Sequence, residues 1–283
     1  MIENAAMSGD PEFYARPSLN VESYDAQAAA GLPSLAGDVE FYIDLARRSG
    51  GPVLDLGGGT GRVAWPLAEA GFEVTSLDAS APMLARSEAK RALASPPAQT
   101  RVQLVNADLR NFDLPTRFGL AIAPGRTFQM LLRPEDQRTA LATIRRHLRP
   151  GGYVVLQLFD PLLDAVAAFD GVPAESDRGT VTLEGSGHQV TRQVLRHTTD
   201  PLVQLMTQVW EYAELDEGGN VLRREEETLR LRWTYRYEMR YLLELAGFEV
   251  EAEHADFRGS PPRYAAEQIW VARRPLDRPV STR

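Results

Sequence analysis

The chain has 283 residues, 43% of them hydrophobic and 25% charged, and its formal net charge is -8. It is long enough to bury a substantial core, and no apolar run approaches the roughly 20 residues of a membrane helix. The absence of cysteine excludes disulfides, thiolate metal sites and cysteine nucleophiles. The negative charge disfavours a nucleic acid as partner, because such binding draws on clustered Lys and Arg.

No signal-peptide pattern is visible at the N-terminus, so we expect a cytoplasmic protein that does not associate with a membrane. Short β-rich runs then alternate with helical patterns from residue 51 to residue 159, as is typical of a parallel sheet with crossover helices. The patterns predict helices over 61–71 and 133–152, the second ended by Pro150 and the Gly151-Gly152 pair. They predict five strands, over 52–56, 73–78, 101–108, 118–124 and 152–160.

After residue 161 apolar and polar residues alternate in three long runs, 188–198, 202–215 and 221–233. The stretch "DEGGN" separates the last two runs in the manner of a hairpin turn, so we predict an antiparallel meander. A helix follows over 236–248, ended by Gly247, and two closing strands over 248–254 and 267–273. The last ten residues have the composition of a disordered tail.

A glycine cluster follows the first predicted strand in "VLDLGGGTGR". It lacks the G-x-G-x-x-G spacing of a pyrophosphate-binding turn and the Gly-Lys-Ser/Thr ending of a Walker loop. What remains is Asp55-x-Gly57-x-Gly59-x-Gly61. A carboxylate at this turn would repel a pyrophosphate and attract a cation. S-adenosylmethionine fits, with its ammonium and sulfonium groups and no phosphate, and a helix-capping Asp55 is the alternative.

Two more carboxylates follow the next strands. Asp78 ends the second strand at a distance from the glycines that suits a nucleoside site, where it could accept both ribose hydroxyls. Asp78 alone does not separate NAD from S-adenosylmethionine. Asp108 could accept the exocyclic amine of adenine while Leu109 lies against the ring, although a turn-capping Asp is the alternative reading.

These residues resemble the class I S-adenosylmethionine-dependent methyltransferases. The segments that carry the resemblance are "VLDLGGGTG", "VTSLD", "APMLARSEAK", "NADLRNF" and "HLRPGGYVVL". The resemblance implies an α/β fold with a Rossmann-like seven-stranded sheet whose last strand is antiparallel. The cofactor-binding residues it implies are Tyr24, Asp55, Gly57, Gly58, Gly59, Gly61, Asp78, Ala79, Met83, Asp108, Leu109 and Ala123.

The chain also looks like the small-molecule branch that includes glycine/sarcosine and amino-sugar N-methyltransferases. That likeness implies an antiparallel β insertion after the fifth strand and an N-terminal aromatic cover that includes Tyr14 and Tyr24. A dimer surface is the alternative role of the insertion, and a homodimer is therefore an open prediction. The division of the chain becomes 1–45 (cover), 46–169 (cofactor-binding core), 170–233 (insertion), 234–273 (C-terminal helix and strands) and 274–283 (tail).

The acceptor side is predicted from four residues. Arg126 and Gln129, with Thr127 between them, follow the fourth strand, and Arg126 suggests an anionic acceptor group or else a salt bridge with an acid of the next helix. Tyr235 stands where a helix normally begins with Ser, Thr or Asp. His254 ends the sixth strand, with a core-facing histidine as its alternative. No metal ligand set is evident.

We therefore expect a methyltransferase that transfers a methyl group from S-adenosylmethionine to nitrogen or oxygen of a small molecule. An RNA or protein methyltransferase and a non-catalytic S-adenosylmethionine-binding regulator are the alternatives. Methyl transfer from a sulfonium needs the acceptor to be positioned and water to be excluded, and an amine acceptor needs no base beyond arriving deprotonated.

Overall fold

The computed structural model describes residues 12–167, 170–171 and 178–277. Parts of the predicted N-terminal cover (1–11), insertion (172–177) and tail (278–283) lie outside these residues. Within them, none of the helices combines the length and the apolar character that crossing a membrane requires.

Helices and strands alternate along the first half of the chain, and long strands predominate in the second half. The helices are α1 (Leu19–Ala29), α2 (Asp38–Ser49), α3 (Ala64–Glu69), α4 (Ala81–Lys90), α5 (Pro96–Arg101), α6 (Pro134–His147), α7 (Leu163–Ala167) and α8 (Arg236–Leu245), with short 3₁₀ turns at Pro33–Leu35, Arg91–Leu93 and Thr127–Met130. The strands are β1 (Val53–Leu56), β2 (Val74–Asp78), β3 (Val102–Asn106), β4 (Phe118–Ala123), β5 (Leu148–Phe159), β6 (Asp170–Gly171), β7 (Gly179–Thr182), β8 (Gln189–Asp200), β9 (Leu205–Leu215), β10 (Val221–Arg232), β11 (Glu249–His254) and β12 (Glu267–Arg273).

Seven strands form the core sheet, in the order β11-β12-β5-β4-β1-β2-β3. Strands β1 to β5 run parallel, whereas β12 pairs antiparallel with both β5 and β11. β1 and β4 are buried along their whole length, because helices cover both faces of the sheet. The predicted seven-stranded fold with an antiparallel last strand is confirmed.

The start of the fifth strand differs from the prediction. α6 ends at His147 and β5 begins at Leu148, so Pro150 and the glycine pair lie within the strand rather than at the end of the helix. Two contacts explain the difference. Leu148 pairs with Phe118 of β4, and Gly151 and Gly152 form backbone hydrogen bonds with Arg274, just after β12.

The insertion forms a second sheet, with β10-β9-β8-β6 in order and β7 also paired with β8. The hairpin between β9 and β10 is closed by Asp216, whose carboxylate accepts the backbone N–H of Asn220 at 2.8 Å. One face of this sheet packs on α1, where Leu19 lies against Val190 and Tyr212. The other face turns towards the carboxyl ends of the core strands.

Candidate functional site

A cavity of about 1500 Å³ opens between the carboxyl ends of the core strands and the second sheet. Its walls come from the glycine loop, the loops after β2, β3 and β4, the N-terminal segment and the inner face of the insertion. Most of the predicted cofactor residues line it: Tyr24, Asp55, Gly57, Gly58, Gly59, Asp78, Ala79, Met83, Asp108 and Leu109. Gly61 and Ala123 do not.

The glycine loop is fixed against the end of β2. The N–H groups of Gly57 and Gly58 both donate to the carbonyl of Leu77, at 2.7 and 3.1 Å. Gly57 has a φ of 66°, and a Cβ at Gly58 would collide with Ser76 and Asp55. Only glycine therefore allows the backbone to lie this close to the strand, which leaves its cavity side open to a ligand.

Asp55 is fully buried beneath this loop. Its Oδ2 lies 3.5 Å from the hydroxyl of Ser76, and its Oδ1 has no hydrogen-bond partner in the described part of the chain. Burial raises the pKa of Asp55 to about 7, and the nearby Arg62 guanidinium opposes that rise. An orphaned carboxylate oxygen at a cavity wall is what a cationic ligand would complete.

Asp78 and Asp108 present two further carboxylates to the cavity. Asp78 accepts the N–H groups of Gly59 and Ser80, at 2.8 and 2.7 Å, and burial raises its pKa. Asp108 is held by the guanidinium of Arg110 through two bonds of 2.8 and 2.6 Å, which lowers its pKa. Each carboxylate offers about four acceptor positions, so both keep lone pairs for a ligand.

The N-terminal segment crosses the cavity between the core and the second sheet. The N–H of Phe13 donates to the carbonyl of Thr228 at 3.2 Å, and the hydroxyl of Ser80 donates to the carbonyl of Tyr14 at 2.6 Å. Tyr14 has a φ of 61°, and its ring packs edge-on against Tyr24 with centroids 5.8 Å apart. Both predicted cover tyrosines line the cavity.

The structure places Arg126 and Gln129 away from the cavity wall. The guanidinium of Arg126 pairs with Glu267 of β12 at 2.8 Å and stacks on Phe159. Gln129 is fully buried, and its Oε1 accepts the N–H of Phe159 at 2.9 Å. Both side chains turn towards β5 and β12 because those strands run directly beside the loop. Thr127, between them, does line the cavity.

Tyr235 and His254 also lie outside the cavity. Tyr235 is the residue before α8 and has 41% of its surface exposed, and Glu238 accepts its backbone N–H at 3.2 Å. Helix capping by Glu238 therefore accounts for this position without a functional tyrosine. His254 packs against Phe41, with ring centroids 6.2 Å apart, at a second cavity of about 620 Å³ beside α2.

Sequence reasoning missed the residues that the second sheet contributes. The inner face of the insertion carries arginines and threonines at alternate positions of β8, β9 and β10. The alternation was visible in the sequence, but it gave no sign of which face would meet the core. The cavity-lining members of this face are Arg196, Thr198, Leu205, Thr207, Val209, Thr228, Arg230 and Arg232. No group of three or more His, Asp or Glu suited to a metal occurs among the described residues.

The comparisons with known proteins agree with this geometry. Residues 53–152 match a methyltransferase domain family. Over 262 residues, 93% of this chain and 97% of the relative, the chain is 30% identical to a cypemycin N-terminal methyltransferase from Streptomyces sp. A glycine/sarcosine N-methyltransferase from Parasynechococcus marenigrum is 36% identical, over 46% of each chain.

Solved structures show the same fold across most of the chain. The CcbJ methyltransferase from Streptomyces caelestis superposes with a TM-score of 0.72 at 29% identity, over 94% of this chain and 100% of that one. The sugar N-methyltransferase KedS8 from Streptoalloteichus sp superposes with a TM-score of 0.68 at 23% identity, over 89% of this chain and 92% of that one. The second likeness extends to the insertion and concerns the fold alone.

Proposed function

Because the chain belongs to the class I S-adenosylmethionine-dependent methyltransferases, we propose that it methylates an amine nitrogen of a small molecule bulkier than a single amino acid. Its cofactor is S-adenosylmethionine, which supplies the activated methyl group. The proposal concerns the identity of the acceptor and the residues that bind the acceptor and the cofactor.

The cavity itself carries the proposal. Its volume of about 1500 Å³ exceeds the roughly 300–1,000 Å³ of an ordinary ligand pocket. A nucleoside cofactor on the core side would leave a large part of this space to the acceptor. An acceptor as small as glycine would leave much of the second sheet unused, so a bulkier molecule fits better.

The lining favours nitrogen over oxygen. An alcohol or phenol acceptor gains from a general base. The described cavity lining contains no histidine or lysine, and among its carboxylates only Glu12 is neither paired with an arginine nor assigned to the cofactor. Burial raises the pKa of Tyr14 and of Tyr24 above its usual value, so both stay neutral near pH 7. A neutral amine needs only to be oriented, which can contribute about 7–11 kcal/mol. The relative that matches over 97% of its own length is named an N-terminal methyltransferase, and a free peptide N-terminus is an amine.

We assign the cofactor residues by their chemistry. Asp55, with its orphaned oxygen, would pair with the α-ammonium group, and Asp78 would accept the ribose hydroxyls. Asp108 would accept the adenine amine while Leu109 packs against the ring. The glycines 57 to 59 would let the backbone approach the cofactor closely, and Tyr14 and Tyr24 would exclude water from the transferred methyl group.

An acceptor screen tests the proposal. Purified protein is incubated with methyl-labelled S-adenosylmethionine and three acceptor groups: short peptides with free N-termini, amino sugars, and matched phenols and alcohols. We expect label in the amines and none in the phenols or alcohols. Labelling of hydroxyl acceptors only would contradict the nitrogen assignment, and transfer to RNA or intact proteins only would contradict a small-molecule acceptor.

Calorimetry with S-adenosylhomocysteine, together with the acceptor screen, distinguishes a methyltransferase from a non-catalytic cofactor-binding protein. Binding without turnover across the whole screen would support a non-catalytic regulator instead. A homodimer and a cytoplasmic location also stay predictions. Light scattering after size exclusion tests the first, and fractionation of the producing cell tests the second.

A further inference from the structure

We propose that the acceptor carries an anionic oxyacid group, a carboxylate or a phosphate, which Arg196 and Arg230 bind at the end of the cavity formed by the second sheet. This inference rests on the proposed function, because it concerns the acceptor of the methyl group.

The strand register brings these arginines onto one face. Thr207 of β9 pairs with Thr198 of β8 and with Arg230 of β10, and Val209 pairs with Arg196 and Thr228 in the same way. Residues two apart on a strand share a face, and all six of these line the cavity. Arg196 and Arg230 thus stand two strands and two residues apart, which places their Cα atoms about 12 Å from each other, and Thr207 lies on the strand between them.

Arg196 and Arg230 differ from the other arginines of the cavity because they have no acidic partner among the described residues. Arg62, Arg110, Arg133 and Arg232 each pair with a carboxylate. Arg196 and Arg230 make no ion pair or side-chain hydrogen bond with any residue in the described ranges. Two guanidiniums without a counter-charge on one wall favour an anion that both can reach, since Arg binds carboxylate and phosphate through paired donors.

Buried polar atoms beside them lack partners too. Thr228 is 6% exposed, and its hydroxyl has no hydrogen-bond partner among the described residues. Arg232 is 4% exposed, and its Nε is equally without a partner there, although its other nitrogens bind Gln137, Gln204 and Glu238. A buried polar atom without a partner is costly, and an oxyanion could accept hydrogen bonds from both groups.

The two free guanidiniums lie on the opposite side of the cavity from the carboxylates that we assign to the cofactor. Asp55 and Asp78 lie on the cofactor side, where the ligand is cationic, and the free guanidiniums lie on the insertion side. Glu12 lies on the insertion side as well, because its backbone forms a bridge with Thr228, and its carboxylate makes no ion pair with the described residues. An acceptor anchored by its anion on the second sheet would direct its opposite, nucleophilic end towards the cofactor.

Binding of simple anions tests the site directly. Protein saturated with S-adenosylhomocysteine is titrated with acetate and with inorganic phosphate at constant ionic strength. The variants are Arg196→Gln/Arg230→Gln and, as control, Arg138→Gln, an exposed arginine of α6 outside the cavity. We expect at least one of the two anions to bind the wild type and the control with the same affinity. The same anion should bind the double variant at least tenfold more weakly. Preference for acetate would indicate a carboxylic acid, and preference for phosphate a phosphorylated acceptor.

Two results would overturn the inference: neither anion binds wild type, or the double variant binds as tightly as wild type. The affinity for S-adenosylhomocysteine should stay within twofold in all variants, which shows that the cofactor side is intact. Failure of the proposed function is a separate outcome, because it would appear as no transfer to any amine while anion binding is unaffected.

A matched acceptor pair gives the kinetic readout. Among the amines that are methylated, each acid is compared with its carboxamide or dephosphorylated counterpart. We expect the double variant to raise KM for the acid at least tenfold, to leave kcat within about threefold, and to leave KM for the neutral counterpart unchanged. An equal loss for both members of the pair would contradict anion recognition.

Discussion

Asp38 and Arg62 are joined by two hydrogen bonds, of 3.0 Å between Nη1 and Oδ1 and 2.5 Å between Nη2 and Oδ2. Only 3% of the Asp38 side chain and 17% of the Arg62 side chain are exposed. The pair ties the first turn of α2 to the end of the glycine loop, and Arg62 is also the cation that opposes the pKa rise of Asp55. The ion pair between Asp38 and Arg62 therefore helps to hold the glycine loop in place and also influences the charge of Asp55.

Arg62→Gln should destabilise the protein strongly, because it leaves Asp38 buried without its counter-charge. Loss of one partner of a buried pair costs roughly 3–5 kcal/mol of the free energy of unfolding. Arg47→Gln is the matched control, since its pair with Asp44 is exposed and contributes about 0.5 kcal/mol or less. Denaturant unfolding followed by tryptophan fluorescence measures both. Equal costs would contradict a structural role, whereas Asp38→Asn/Arg62→Gln should recover part of the loss.

Asp78→Asn should weaken binding of S-adenosylmethionine at least tenfold, because a hydrogen bond to a charged group contributes about 1.5–3 kcal/mol. Asp78→Ala should weaken it more, since the N–H groups of Gly59 and Ser80 then lose their acceptor as well. Calorimetry gives the dissociation constants, with the exposed Asp44→Asn as control. Unchanged affinity in a folded Asp78→Ala variant would refute the ribose role.

Binding of S-adenosylmethionine should strengthen as the pH rises through about 7. The pKa of Asp55 in the free protein is about 7, above the ordinary 3.8. The buried carboxyl therefore favours its protonated form, and the unliganded protein loses stability as the pH rises from about 4 to about 7. A cationic ligand would favour the ionised form, so binding below pH 7 should release a proton.

Calorimetry from pH 5.5 to 8, in buffers of different ionisation enthalpy, counts that proton. Asp55→Asn should abolish both the proton release and the pH dependence below about 7, and should bind more weakly at pH 8. A wild-type affinity that stays level from pH 5.5 to 8 would contradict the pairing of Asp55 with the ammonium group.

Arg126→Gln should leave the acceptor KM within twofold. Its guanidinium is engaged by Glu267 at 2.8 Å and by the ring of Phe159, outside the cavity. We expect a small loss of stability only, since more than a third of the Arg126 side chain is exposed. Steady-state kinetics measures the acceptor KM of Arg126→Gln and of Arg230→Gln under the same conditions. A tenfold rise in KM for Arg126→Gln would support its predicted role at the acceptor.

Local spacing predicted from the sequence alone which residues would gather at the core side of the cavity. Asp55, the glycines and Asp78 belong to one strand-turn-helix-strand unit, and Asp108 lies just after the next strand. Neighbouring parallel strands bring their carboxyl ends to one edge of the sheet, so distance along the chain translated directly into proximity. The antiparallel insertion was also predictable, because its strand signals are periodic and local, whereas the seven-stranded sheet was implied by the resemblance to the methyltransferase family.

Tertiary structure alone decided which residues line the side of the cavity that we propose for the acceptor. Arg126 is paired with Glu267, which is 141 residues away, and Gln129 with the backbone of Phe159. Neither partner could be identified from spacing, because long-range contacts depend on which strands become neighbours. The alternating strands of the insertion showed that one face would be polar, but only packing against α1 and the core placed Arg196 and Arg230 on the cavity wall. The sequence by itself therefore determined which cofactor binds, and the packing of two sheets decided which surface faces the cavity where we propose that the acceptor binds.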